Sequence, residues 1–137
     1  MGVNLAEHDF DEALRLRPKD ADALIGRAEV QVRLGRVKDA LAVAEEALNN
    51  LPRGASPTAR LQLRYNAARV FAQATATAPD PSAVLARTAN LLREVLEDVP
   101  KGDRAGFWKD VVMADPPLAR ISRSPALLAV AAEAEGR

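Results

Sequence analysis

Apolar residues fall along this chain in short stripes with helical spacing, and proline, glycine and small polar residues cut the stripes apart. Residues three and four apart share one face of a helix, so the stripes predict amphipathic helices. The first spans residues 5–16, with Leu5, Ala6, Phe10, Ala13 and Leu14 inward, Asn4 as cap and Glu7 as its capping-box partner. Pro18 ends it. A second, over 21–34, follows the capping residue Asp20 and turns Ala21, Leu24, Ala28, Val32 and Leu34 inward, with Ile25 on the flank. Gly35 sits where a left-handed residue closes a helix. A third, over 37–49, buries Ala40, Leu41, Ala44, Ala47 and Leu48 before Pro52 and Gly54 stop it.

The same punctuation continues. Ser56-Pro57 opens a fourth helix that runs through Leu61, Tyr65, Ala68, Val70 and Phe71 to residue 76. Asp80-Pro81 opens a fifth, carrying Val84, Leu85, Leu91, Leu92, Val95 and Leu96, which Pro100 and Gly102 end. Asp103 is placed to cap a short sixth helix to residue 112, and Asp115-Pro116-Pro117 then leaves one turn over 118–121. Ser124-Pro125 starts a last helix to residue 135. Links of two to seven residues between helices make neighbours antiparallel. The expected fold is all-α, six to seven helices in stacked antiparallel hairpins.

Two of these segments repeat. Asp11-Glu12-Ala13-Leu14 and Pro18 return 34 residues later as Glu45-Glu46-Ala47-Leu48 and Pro52, and Ala6 returns as Ala40. The stretch from Glu45 to Gly54 returns at an offset of 48 as Arg93 to Gly102, the extra length falling before Ser56 and around Pro79. A fixed period of this size marks a repeat architecture, in which each unit buries its apolar face against its neighbours.

Composition narrows the function classes. The 137 residues make one domain or one compact array. Aromatics are only 4% of it, and alanine and leucine dominate, which suits closely stacked helices. Nineteen basic and nineteen acidic residues give zero net charge, so nothing calls for nucleic acid or an anionic membrane as partner. There is no cysteine, hence no thiol nucleophile or thiolate metal site, which fits a reducing compartment. No apolar run approaches a membrane span, and the expected location is cytoplasmic. His8 is the single histidine, with Glu7 and Asp11 within helical reach; it reads as a surface residue rather than a ligand. The glycines stand singly, so no phosphate-cradling loop exists. Arg15, Arg17 and Lys19 are interleaved with acids and read as a solvated face; Arg104, Lys109, Arg120 and Arg123 form a more basic set beside Trp108. Phe107 and Trp108 are expected to plug the open end of the last hairpin. No acid–base pair, nucleophile or cofactor loop can be assembled, so no enzymatic activity, cofactor or metal is expected.

These residues resemble the tetratricopeptide repeat family. Leu24, Ala28, Gly35, Ala40, Ala44, Ala47 and Pro52 stand at that family's spacing in one complete repeat. Ala6, Phe10, Ala13 and Pro18 match the second half of a preceding one, and Tyr65 to Ala68 with Phe71 match the first helix of a third that Pro100 closes. Gln31 stands where an aromatic is usual, and the tail is off-pattern. The resemblance implies a half repeat over 4–18, a full repeat over 19–52, an expanded repeat over 53–102 and a helical cap over 103–137. It also implies a concave groove lined by the first helix of each unit. That groove takes Asp22, Ile25, Gly26, Glu29, Val32 and Arg33 from one unit and Gln62, Tyr65, Asn66, Arg69, Ala72 and Gln73 from the next. Asn66 is either a ligand-binding amide or a helix–helix hydrogen bonder. Ile25 and Glu29 replace the Lys and Asn of a carboxylate clamp, so a C-terminal carboxylate is not the expected ligand. The implied function is protein–protein interaction through a peptide or helix in the groove, as a fragment or regulatory module of a larger protein. The alternative is a homodimer or larger assembly through the open first helix, where only residues 1–4 precede the stripe containing Phe10.

Overall fold

The chain is described by a computed structural model covering residues 3–136, with side chains from His8 onward. The cap role of Asn4, the capping box at Glu7 and the packing of Leu5 and Ala6 lie outside the described residues.

Eight α-helices and no strand occur among the described residues. They are α1 (Val3–Leu16), α2 (Ala21–Arg33), α3 (Val37–Asn49), α4 (Pro57–Ala74), α5 (Pro81–Glu97), α6 (Arg104–Phe107), α7 (Pro116–Ala119) and α8 (Pro125–Ala134). Most boundaries sit where the sequence chemistry puts them. The Asp20 carboxylate accepts from the Ala23 amide at 3.1 Å, Ser56 from Ala59 at 3.1 Å and Asp80 from Ala83 at 3.2 Å. Each satisfies an amide that the first helical turn leaves without an intrahelical partner. At the other end of α2, Gly35 takes a φ of +81°. Its amide donates to Val32 at 3.1 Å and the Arg36 amide to Gln31 at 2.9 Å, the paired bonds that close a helix through a left-handed residue.

The region after α5 differs from the single helix expected over 103–112. Lys101–Asp103 forms a 3₁₀ turn, α6 occupies one turn, and Trp108–Val112 forms a π turn in which Met113 donates to the Trp108 carbonyl at 2.9 Å. Asp103 makes no side-chain capping bond. The next turn falls at Pro116–Ala119 rather than 118–121, and α4 stops at Ala74 rather than residue 76. The separate α7 raises the α-helix count above six to seven.

Consecutive helices α2 and α3 pack antiparallel, as do α4 and α5. In addition α2 lies against α4, α3 against α4, α4 against α7 and α5 against α8. This leaves α2 packed on three sides by α1, α3 and α4, so burial spreads beyond one stripe to include Ile25, Gly26, Val30 and Gln31. Ala13, by contrast, is exposed although its spacing puts it in the α1 stripe: among the described residues α1 packs mainly against α2. Close approach rests on alanine: Ala28, Ala40, Ala44, Ala47, Ala67, Ala68 and Ala74 have no exposed surface. Trp108 is 5% exposed and joins the same core as Leu118 and Leu127. Ion pairs strap the outside. Arg60 grips Asp98 at 2.7 Å, Arg87 grips Glu45 at 2.8 Å and Arg93 grips Glu133 at 2.8 Å. The Arg60 hydrogen bond holds the Asp98 carboxyl below its usual range. No helix of the described residues is long and apolar enough to cross a membrane.

Two outcomes follow from this packing. Ala40→Leu forces a larger side chain into a fully closed contact, at a cost of about 1–3 kcal/mol, roughly 5–10 °C in Tm. Ala42→Leu, on the exposed side of the same helix, leaves Tm nearly unchanged in the same calorimetric comparison. The single tryptophan reports the tail: its emission is blue-shifted and resists acrylamide quenching in the folded protein.

Candidate functional site

Helix α2 turns Asp22, Ile25, Gly26 and Glu29 to one side, spaced i, i+3, i+4 and i+7. Helix α4 answers with Ala59, Gln62 and Asn66, spaced i, i+3 and i+7. Between these stripes runs an open cleft of about 630 Å³, reached also by Phe10 of α1 and by Ser56 and Thr58. Its floor is a side-chain-for-backbone fit: a Cβ on Gly26 would fall inside the Phe10 ring, so only glycine lets the ring lie there. Ile25 is 3% exposed: most of it packs in the core, and only an edge of the side chain reaches the cleft floor. Phe10 is half-buried on Gly26 rather than left open.

A second cleft of about 390 Å³ shares Gln62 and Asn66 with the first and continues along Leu61, Tyr65 and Arg69 to Phe107, Val111 and Asp115. Here the chain's own tail meets α4. The Tyr65 hydroxyl donates to the Asp115 carboxylate at 2.8 Å, and Arg69 Nε lies 2.7 Å from the same oxygen. Phe107 meets the Tyr65 ring edge-on, with centroids 6.1 Å apart. Arg69 also reaches Glu29 at 3.8 Å, so one guanidinium stands between carboxylates of α2 and of the tail. Burial pushes the Tyr65 phenol well above its ordinary range, and the hydrogen bond to Asp115 adds to this. Burial likewise pushes Glu29 up, while Arg69 and Arg33 work in the other direction.

Of the residues the sequence assigned to the groove, Asp22, Ile25, Glu29, Gln62 and Asn66 line the first cleft, and Gln62, Tyr65, Asn66 and Arg69 the second. Val32, Arg33 and Gln73 line neither. Tyr65 and Arg69 are committed to Asp115 and so are not free groove positions. Asp115 carried no sequence signal beyond a break before two prolines; nothing in its neighbourhood points fifty residues back to Tyr65. Phe10 was legible as apolar, but its seat on Gly26 depends on how α1 crosses α2. His8 is exposed, and among the described residues no group of three acidic or histidine side chains could hold a metal ion. The arrangement offers apolar contact, amide hydrogen bonds and carboxylates.

No protein-family model matches the chain, and no curated protein or solved structure matches it either.

Tyr65 is the only tyrosine, so absorbance near 295 nm follows its ionisation alone. Asp115→Ala removes an acceptor and a like-signed neighbour of the phenolate, so the titration midpoint falls toward the ordinary value, and stability drops by about 1–3 kcal/mol. Because the folded state holds this proton more tightly than the unfolded chain does, the associated stability is complete below about pH 10 and declines as pH rises above it. A thermal-melt series from pH 8 to 11 on both proteins gives the steeper alkaline loss to the parent.

Proposed function

We propose that this chain is a protein-interaction module of the tetratricopeptide-like kind, which holds an extended peptide segment in the cleft between α2 and α4. The observation that carries the reading is that cleft: two helices of successive hairpins lie side by side and present Gln62 and Asn66 opposite an apolar floor. Primary amides donate and accept at once, which suits the alternating N–H and C=O groups of an extended backbone. Phe10 and Ile25 give an apolar side chain somewhere to rest. The packing of α2 on both α3 and α4 is what stacked helical hairpins require, and it supports the repeat reading of residues 19–102.

The rival is self-association through α1. It draws on Ala13 and on Leu16, which is 73% exposed, but it has lost Phe10 to the Gly26 contact. Among the described side chains of α1, Ala13 and Leu16 alone give little area for a dimer seam, and the cleft is favoured over it.

Selection of a phage-displayed twelve-residue peptide library on the immobilised protein tests the reading. Peptides are enriched on the parent and lose at least tenfold in affinity on Gln62→Ala/Asn66→Ala, which keeps its circular dichroism spectrum. No enrichment, or equal binding by the double variant, removes the cleft as the site. Sedimentation at about 100 μM addresses the rival: the parent and Leu16→Glu both run as monomers.

A further inference from the structure

The charges that line the α2–α4 cleft are of one sign. Among the described residues, the ionisable groups on its walls are Asp22 and Glu29, and no basic side chain lines it. Asp22 is exposed, and the ion pairs of this face do not include it. Glu29 is half-buried and incompletely neutralised: its nearest cation, Arg69, stands 3.8 Å away but 2.7 Å from Asp115. Burial of Glu29 pushes its carboxyl up, which is the mark of an anion short of solvent, though Arg69 and Arg33 oppose the push. A cation brought in by a ligand would supply what the wall lacks.

The spacing says more. Asp22 and Glu29 are seven residues apart on one face, about 10 Å along the helix axis at about 1.5 Å per residue. An extended chain, at about 3.3 Å per residue, covers that distance in about three residues. Between the two carboxylates lies the apolar floor of Ile25 and Phe10.

We infer that the occupant of this cleft is a basic extended segment, two lysines or arginines about three residues apart with an apolar side chain between them. The inference rests on the peptide-binding reading above and adds its chemistry. The long aliphatic stems of lysine and arginine let their heads reach the carboxylates while their methylenes cover the floor. Carboxylates on the wall also act against acidic segments, so the same two groups select as well as attract.

The peptides recovered from the library on the parent protein decide this, together with the affinity of a synthetic copy of the most enriched one for Asp22→Asn/Glu29→Gln, by fluorescence anisotropy at 50 mM and 300 mM NaCl. Both substitutions keep the side-chain size. The expected result is enrichment of basic residues at that spacing, binding about tenfold weaker on the double variant, and a salt dependence that the variant loses. Enriched peptides without a basic excess, but still lost on Gln62→Ala/Asn66→Ala, overturn the charge selection and leave the cleft standing. Basic peptides that bind the double variant as tightly as the parent overturn it as well. A library that yields nothing removes the peptide reading itself, and this inference with it.

Discussion

Alanine sets the distances on which everything else here depends. Seven alanines of α2, α3 and α4 have no exposed surface, and these are helices that pack against one another. Dispersion falls off steeply with distance, so such contacts hold only while the side chains stay small. Because α2 can approach α3 on one side and α4 on another, its neighbours fix its rotation, and Asp22, Ile25, Gly26 and Glu29 face α4 as a set. The cleft is therefore a by-product of close packing elsewhere. It is bounded by the helices' own stiffness and not by a mobile loop, which favours a preformed site.

The second constraint is electrostatic and local. One guanidinium, Arg69, stands between Glu29 and Asp115, and the Tyr65 hydroxyl shares the Asp115 oxygen. Half-buried carboxylates carry a desolvation cost that only close donors offset. Their worth is in position: they join α2, α4 and the tail at one point, while Trp108 and Leu118 supply the apolar anchoring of the tail. The π turn at Trp108–Val112 belongs to this fit. An extra residue in the turn changes the angle at which the following chain leaves, and Asp115 follows within three residues. Groove positions that a repeat pattern would offer to a partner are thereby used at home.

How much of this was legible in sequence depended on range. The caps at Asp20, Ser56, Asp80 and Ser124 and the left-handed close at Gly35 are local chemistry, and each lies where the residues put it. Whether a position is inward was less readable: α2, with three neighbours, buries Val30 and Gln31 outside its expected stripe, and α1, thinly covered, leaves Ala13 exposed. The tail escaped most. Its prolines mark breaks but give no direction, and Asp115 finds Tyr65 and Arg69 only through tertiary geometry. The same holds for Phe10, whose partner is a missing side chain on another helix, a kind of complementarity that hydrophobic periodicity does not encode.

A neutral chain can still be electrostatically specific. Nineteen charges of each sign cancel in sum, and several arginines are engaged in ion pairs: Arg60 with Asp98, Arg87 with Glu45, Arg93 with Glu133, Arg27 with Asp11. Ion pairs near the surface contribute little to stability, because water screens them and both side chains lose freedom. Their larger effect is to silence the faces on which they lie, since a satisfied pair offers a passing ligand no net field. What counts at a cleft is the charge its own walls leave unpaired. At the α2–α4 cleft the remainder is negative, because Asp22 has no such pair and Glu29 shares its cation with Asp115. Net charge alone does not reveal this. The pairing pattern, which only the fold discloses, turns a balanced composition into a cleft with a sign.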